Sequence, residues 1–297
     1  MCQICTILHT HHRTVHTPTS SVILVIIVVN PELRIICAAP KKNRHKNYNS
    51  NKGKNQLKNK FEKPFDEQFV YLMNETACYL ASNVQGVQFA YVQSDEISLI
   101  IKKTEPDGDI FFGGRLCKMQ SIIASLATAK FNQLMMVYNI TKNNYFFTRE
   151  DTADTLYDIV DAVDVITNSP LYQFDCKVWD VDNANDAMAW LLFRNIDCIR
   201  NSKQQTAQTY LPHKELVGLH TDEQIALLNE RHGIDWNRYK DGLKYGRFVY
   251  RESAKFQKEI NGKVVEFERN AFTTHNGFDL TIEENRNKLK NILNIEN

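Results

Sequence analysis

Two apolar, β-prone runs, Val87 to Tyr91 and Ile97 to Ile101, flank the short polar link Gln93-Ser94-Asp95-Glu96. Runs rich in β-branched and aromatic residues, this close together around a polar link, are read first as an antiparallel hairpin. Such a hairpin carries two adjacent carboxylates, Asp95 and Glu96, at its tip. Mg²⁺ takes one or two carboxylates and completes its shell with water and substrate phosphates. A pair of such ions about 4 Å apart supports in-line attack at phosphorus. A solvated turn uses the same residue types, so the tip alone leaves both readings open.

The elements around the hairpin follow from spacing. Phe69, Leu72, Met73, Thr76 and Leu80 recur at helical intervals, which predicts a helix over 66–82. Gly113-Gly114 opens a second helix, from about Arg115 to Leu134, with Leu116, Ile123, Leu126, Ala127 and Phe131 on its apolar face. A strand is expected at Phe174 to Trp179 and a helix from Ala184 to about Asn201. Pro106-Asp107-Gly108 marks a turn, and the acidic stretch Asp151 to Asp164 suits a surface insertion. This order of elements is α+β.

The first sixty residues differ in character. Val22 to Val29 is an unbroken apolar run, far short of the roughly 20 residues that span a bilayer, and it reads first as a buried strand. Between Lys41 and Lys60 stand eight cations and no acid. Such a block suits a solvated linker, and it also attracts phosphate. Cys2 and Cys5 form a CxxC followed by His9, His11, His12 and His16, but no second spaced pair completes a zinc site. The seven cysteines are scattered and odd in number, which suits a reducing cytoplasm. A net charge of +1 does not by itself point to a nucleic-acid partner.

Three further places suit anions. Arg115 and Lys118 share one face at a helix start, where the macrodipole disfavours cations unless an anion sits between them. In Phe61-Glu62-Lys63-Pro64-Phe65-Asp66, Pro64 and Asp66 suit a helix start, and Lys63 is left within reach of a phosphate. Near the end of the later helix, Asp197, Arg200 and Asn201 share a face that fits either nucleotide or solvent. Ordinary surface charge and helix-start chemistry explain these residues equally well one by one.

Together, FEKPFD, AYVQSDEISLI, GGRLCKMQSIIAS, FDCKVWD, FRNIDCIRNSKQQTAQ, HKELVG and KYGRFVY resemble the tRNA-His guanylyltransferase family from about Phe61 to Tyr250. The likeness is greater to the bacterial and viral guanylyltransferase-like branch, because the late helix carries RNS rather than HINN. The resemblance implies a polymerase-palm-like antiparallel sheet with helices packed on one face, preceded by an atypical, partly disordered N-terminal segment. Residues 1–60 form that leader and basic linker, 61–252 the palm-like nucleotidyltransferase domain, and 253–297 a polar tail. It implies a transferase that adds a nucleotide to the 5′ end of a tRNA, with ATP and GTP as substrates, or one that repairs truncated 5′ ends. It also implies Mg²⁺ held by Asp95 with Glu96 assisting, and a triphosphate contacted by Lys63, Ser94, Arg115 and Lys118. Asp66 and Asn201 match supporting positions, and a homo-oligomer, a tetramer in the family, is expected.

Two departures stand out. Lys177 replaces the arginine of the family's FDxR. The family's RIDG-type strand, whose aspartate binds both metals, has no counterpart at the usual interval before Lys63, which reaches only Tyr48 to Ser50. Glu32 is the only carboxylate in the first 61 residues. Three readings follow: an enzyme of this family impaired at its metal site, an inactive palm-fold RNA-binding protein, or an unrelated Mg²⁺-dependent palm. The FRNIDCIRNS helix argues against the third.

Overall fold

The computed structural model describes residues 22–30, 61–103, 108–142, 163, 166–167, 169–181, 183–260 and 263–293. The CxxC leader, the basic run 41–60, most of the Pro106-Asp107-Gly108 turn and nearly all of the acidic stretch 151–164 lie outside the described residues.

The apolar run of the leader is strand β1 (Val22–Asn30). Val25 and Ile26, adjacent and therefore on opposite faces, are both buried. An unbroken apolar run is what a strand covered on both faces requires. Helix α1 (Glu67–Asn83) starts at Asp66, whose Oδ1 accepts the Phe69 amide at 2.8 Å. It buries Leu72, Met73, Thr76, Ala77 and Leu80, the stripe that the spacing predicts. β2 (Val87–Gln93) and β3 (Glu96–Lys102) form the expected hairpin.

A 3₁₀ turn at Phe111–Gly114 leads into α2 (Leu116–Lys142), which runs two turns past the expected end. Arg115 precedes this helix rather than opening it, and its carbonyl accepts the amides of Lys118 and Met119. Next come β4 (Gln173–Val181), α3 (Ala184–Tyr210), α4 (Thr221–His232), the strands β5 (Arg247–Ile260) and β6 (Lys263–Asn276), and α5 (Glu283–Ile292). The Asn183 side chain caps α3. This helix extends well beyond Asn201 because no Gly or Pro interrupts it before Pro212.

The six strands form one antiparallel sheet in the order β4-β1-β3-β2-β5-β6. The palm-like sheet is as expected, but helices cover both of its faces rather than one. On the first face α1 and α2 pack against Val25, Ala90, Val92, Ile97, Leu99 and Val178. Phe131 of α2 sits there, 5.4 Å from the rings of both Tyr172 and Phe174. On the second face α3 and α5 cover Phe89, Tyr91, Ile100 and Phe248 with Met188, Leu191, Leu280 and Leu289. The apolar residues of β2 and β3 fall on alternating faces and so serve both cores. Covering the second face depends on Asn195 of α3. Its Oδ1 accepts the Leu280 amide at 2.8 Å, and its Nδ2 donates to the carbonyls of Tyr245 and Phe278.

Two stretches that the sequence places outside the palm-like domain take part in its sheet. Residues 22–30 form β1, residues 253–260 continue β5, and residues 263–276 form β6. Only Arg247 to Tyr250 of β5 pair with β2; from there on, β5 and β6 form a two-stranded ribbon with mostly exposed residues.

Candidate nucleotide-binding site

The β2–β3 connection is a two-residue link, Ser94-Asp95, closed by the Gln93–Glu96 pair. Ser94 has φ 45°, a left-handed conformation uncommon for a residue with a Cβ. Two-residue hairpins need positive φ there to match the strand twist, and holding it without glycine stores strain of order 1 kcal/mol. The link thus turns the exposed Ser94 and the half-buried Asp95 toward a cleft.

The cleft encloses about 620 Å³ between the hairpin tip, the loop 61–66 and α3. It brings together Lys63, Asp66, Ser94, Asp95, Glu96 and Asn201, six of the eight residues expected at the site. Arg115 and Lys118 are not among its lining. Both are exposed: the Arg115 Nε donates to the Phe112 carbonyl at 3.3 Å, and the Lys118 ammonium lies 5.6 Å from the Phe112 ring centre.

The charges inside are unevenly committed. Arg194 grips both oxygens of Glu96, Nε to Oε1 at 2.7 Å and Nη2 to Oε2 at 2.6 Å. Its Nη1 also lies 3.3 Å from Asp197. Asp197 in turn takes Arg200 and, at 3.2 Å, the Asn201 amide. Burial raises the carboxyl of Glu96; the Arg194 charge and hydrogen bonds, and a 3.3 Å bond from Gln93, pull the other way. Asp95 is likewise raised by burial, opposed by bonds from its own backbone and Ser94 and by the Arg194 charge. No ion pair holds Asp95 among the described residues.

Asp66 shapes the loop rather than facing a ligand: its Oδ2 accepts the Glu62 amide at 2.8 Å while Oδ1 caps α1. That leaves Lys63 exposed and without an ion pair among the described residues. Gln205 of α3 donates to the Pro64 carbonyl and ties the loop to the helix. At the floor lies Arg247, which bonds Asn74 at 2.7 Å and the Gly242 carbonyl at 3.1 Å. Its burial pushes the guanidinium down to about 10.

Residues 53–181 match the family model described as tRNAHis guanylyltransferase, a stretch holding the loop, the hairpin tip and β4. This stretch is similar to the tRNA-His guanylyltransferase family. An uncharacterized protein of Acanthamoeba polyphaga mimivirus is 26% identical over 190 residues, 61% of this chain and 61% of the relative. The tRNA(His) guanylyltransferase 1 of Arabidopsis thaliana is 26% identical over 212 residues, 68% of this chain and 32% of the relative. The chain thus spans 61% of one relative's length and about a third of the other's. A bacterial tRNA(His) guanylyltransferase-like protein solved with ATP shares the fold, with a TM-score of 0.66 at 21% identity over 93% of this chain and 91% of that one. The tRNA(His) guanylyltransferase of Saccharomyces cerevisiae does so with a TM-score of 0.53 at 21% identity, over 82% of this chain and 91% of that one.

The guanylyltransferase family implies a pair of Mg²⁺ ions, and the donors present fit only part of that. Asp95 offers a carboxylate to the cleft, whereas Glu96, expected to assist it, has both oxygens on Arg194. Among the described residues no three His, Cys, Asp or Glu side chains converge as a metal site. The strand beside the hairpin tip is β1, with Val28 in register with Glu96 on one side and Asp175 on the other. Val28, Val29 and Asn30 stand where β1 ends, and none of them is a carboxylate. Among the described residues, this donor set fits one Mg²⁺ shared with a nucleotide's phosphates rather than a bridged pair.

Arg194, Gln205 and Arg247 have structural parts at this site that sequence reasoning did not assign. The signal for Arg194 lay in RNIDCIRNS, where its spacing to Asp197 places both on one helical face. Nothing local marks Arg247 as the cleft floor, because β5 brings it there from far along the chain.

Proposed function

We propose that the cleft binds a nucleoside triphosphate for addition to the 5′ end of a tRNA, and that transfer by this chain is slow. The observation that carries this reading is the asymmetry of the site. Among the described residues, Lys63 and Asp95 make no ion pair and share one cleft with the strained Ser94 link, while the last described residues of the neighbouring strand β1 carry no carboxylate.

Lys63 and the Ser94 hydroxyl bind phosphate oxygens, the first by charge and the second as a hydrogen-bond donor. Asp95 would hold one Mg²⁺, which would neutralise phosphate charge. Its carboxyl is raised by burial, so binding the cation also stabilises its ionised form. Glu96 and Arg194 tie the tip to α3, the helix to which Gln205 ties the loop. ATP and GTP are the expected nucleotides, tRNA the expected acceptor, and a homo-oligomer the expected assembly. In-line chemistry needs reacting groups placed to within a fraction of an ångström, and a misplacement of about 1 Å costs on the order of 100-fold. Binding tolerates a looser site than transfer does.

The test is labelled-GTP incorporation into a 5′-monophosphate tRNA transcript, run beside equilibrium GTP binding with and without Mg²⁺. Mg²⁺-dependent binding with weak incorporation is the expected result. Robust incorporation would show that another group completes the metal site; absence of binding would refute the site itself.

A further inference from the structure

Asn201, Gln204, Gln205, Gln208 and Thr209 all line the cleft. Their spacing, three or four residues and then repeating, puts them on one face of α3. This is an uncharged, amide-rich stripe in a cleft whose hairpin end is charged. Gln205 is occupied by Pro64, and Thr209 donates back to the Gln205 carbonyl at 2.8 Å. Gln204 and Gln208 are exposed and make no hydrogen bond among the described residues. Neither the fold nor the charge network uses them.

The dimensions fit a nucleotide laid along the helix. Arg194 is fixed to the hairpin tip through Glu96. From Arg194 to Thr209 the helix advances fifteen residues, roughly 22 Å at 1.5 Å per residue. With phosphates at Lys63 and Ser94, a base lying along α3 would meet this stripe, which the Gln205–Pro64 bond holds against the same loop. Phe61, Phe65 and Phe69 line the same cleft, and aromatic rings stack on any base.

We propose that Gln204 and Gln208 hydrogen-bond the base edge of the bound nucleotide and accept adenine and guanine alike, an inference that rests on the nucleotide-binding reading above. A glutamine amide carries a donor and an acceptor on one plane, and rotation exchanges them. On the Watson–Crick edge, adenine presents a donor at N6 and an acceptor at N1, and guanine an acceptor at O6 and a donor at N1. A buried, fixed group rejects the wrong partner because it is left unpaired. An exposed, rotatable amide turns to suit either base and returns to water otherwise. The stripe thus adds affinity for a nucleotide over bare phosphate, without choosing between the purines.

The experiment is calorimetric binding of inorganic tripolyphosphate, ATP and GTP, each with Mg²⁺, to the intact protein and to the double variant Gln204→Leu/Gln208→Leu. In the intact protein both nucleotides are expected to bind about 10-fold tighter than tripolyphosphate and within about 3-fold of each other. The double variant is expected to lose about 10-fold for ATP and for GTP while its tripolyphosphate affinity stays the same. The unchanged tripolyphosphate affinity also shows that the variant is folded. If the nucleotides bind no tighter than tripolyphosphate, or if the variant keeps the parent affinity for either or both purines, the inference is overturned. If no ligand binds the intact protein, the nucleotide site itself falls, and this reading with it.

Discussion

Replacing Arg194 with methionine tests how the hairpin tip is held. Arg194 and Glu96 are joined by two short bonds with side chains only 14% and 13% exposed, and Asp197 shares the same guanidinium. Arg194→Met keeps much of the side-chain bulk but leaves Glu96 buried with only the 3.3 Å bond from Gln93. Removing one partner of a buried pair costs about 3–5 kcal/mol. Glu96 can escape part of that by taking a proton, since burial already raises its carboxyl. A loss of about 2–4 kcal/mol near neutral pH follows.

The sign with pH is fixed. A carboxyl raised in the folded state binds more protons there than in the unfolded chain, so its stability contribution is present at low pH and lost as pH rises through the folded value. Without Arg194 the carboxyl rises further. The gap between variant and parent is therefore expected to be largest at about pH 7.5 and to narrow toward about pH 5. Urea denaturation at both pH values measures it, and Glu96→Gln in the Arg194→Met background is expected to recover part of the loss. A variant as stable as the parent at neutral pH, or a deficit independent of pH, would refute a buried pair holding the tip.

Ser94→Gly relieves the positive φ and is expected to stabilise the fold by about 0.5–1 kcal/mol while weakening GTP binding, read by thermal melting and calorimetry. Asp95→Asn is expected to abolish the Mg²⁺-dependence of GTP binding. Because burial raises Asp95, the ionised group is a liability at neutral pH, so the variant is expected to be more stable than the parent there. That advantage should shrink as pH falls through the raised value, as urea titrations across acidic pH would show.

Local pattern revealed the local parts of this molecule. The β2–β3 hairpin, the Asp66 cap and the α1 stripe each follow from residues within one element, so spacing alone finds them. The Val22 to Val29 run reads as a buried strand, but nothing near it says that its partners are residues 96–102 and 173–181. In sequence the β5–β6 ribbon reads as a polar tail because both its faces are exposed, which removes the alternation that marks a half-buried strand. Similarly, Glu96 in sequence is one of two equal carboxylates; only the fold shows that Arg194, almost a hundred positions on, commits it. The loop, the hairpin tip and Asn201 converge as the motifs suggested, whereas Arg115 and Lys118, spaced as an anion site, stay outside the cleft.

The central place of β1 also sets the order in which the sheet can assemble. β4 reaches the sheet through β1 and, among the described residues, pairs with no other strand. Val25 must meet Leu99 and Val178, contacts that span much of the chain. Such long-range pairing is slow, because loop-closure entropy is lost before the contacts form. Until β1 is in place, β3 presents an open edge, and an eight-residue apolar run with no charge or proline waits unpaired, the signature of an aggregation-prone segment. β1 is therefore the strand most exposed to pairing with another copy of itself before the sheet closes, so yield on refolding should fall steeply with protein concentration.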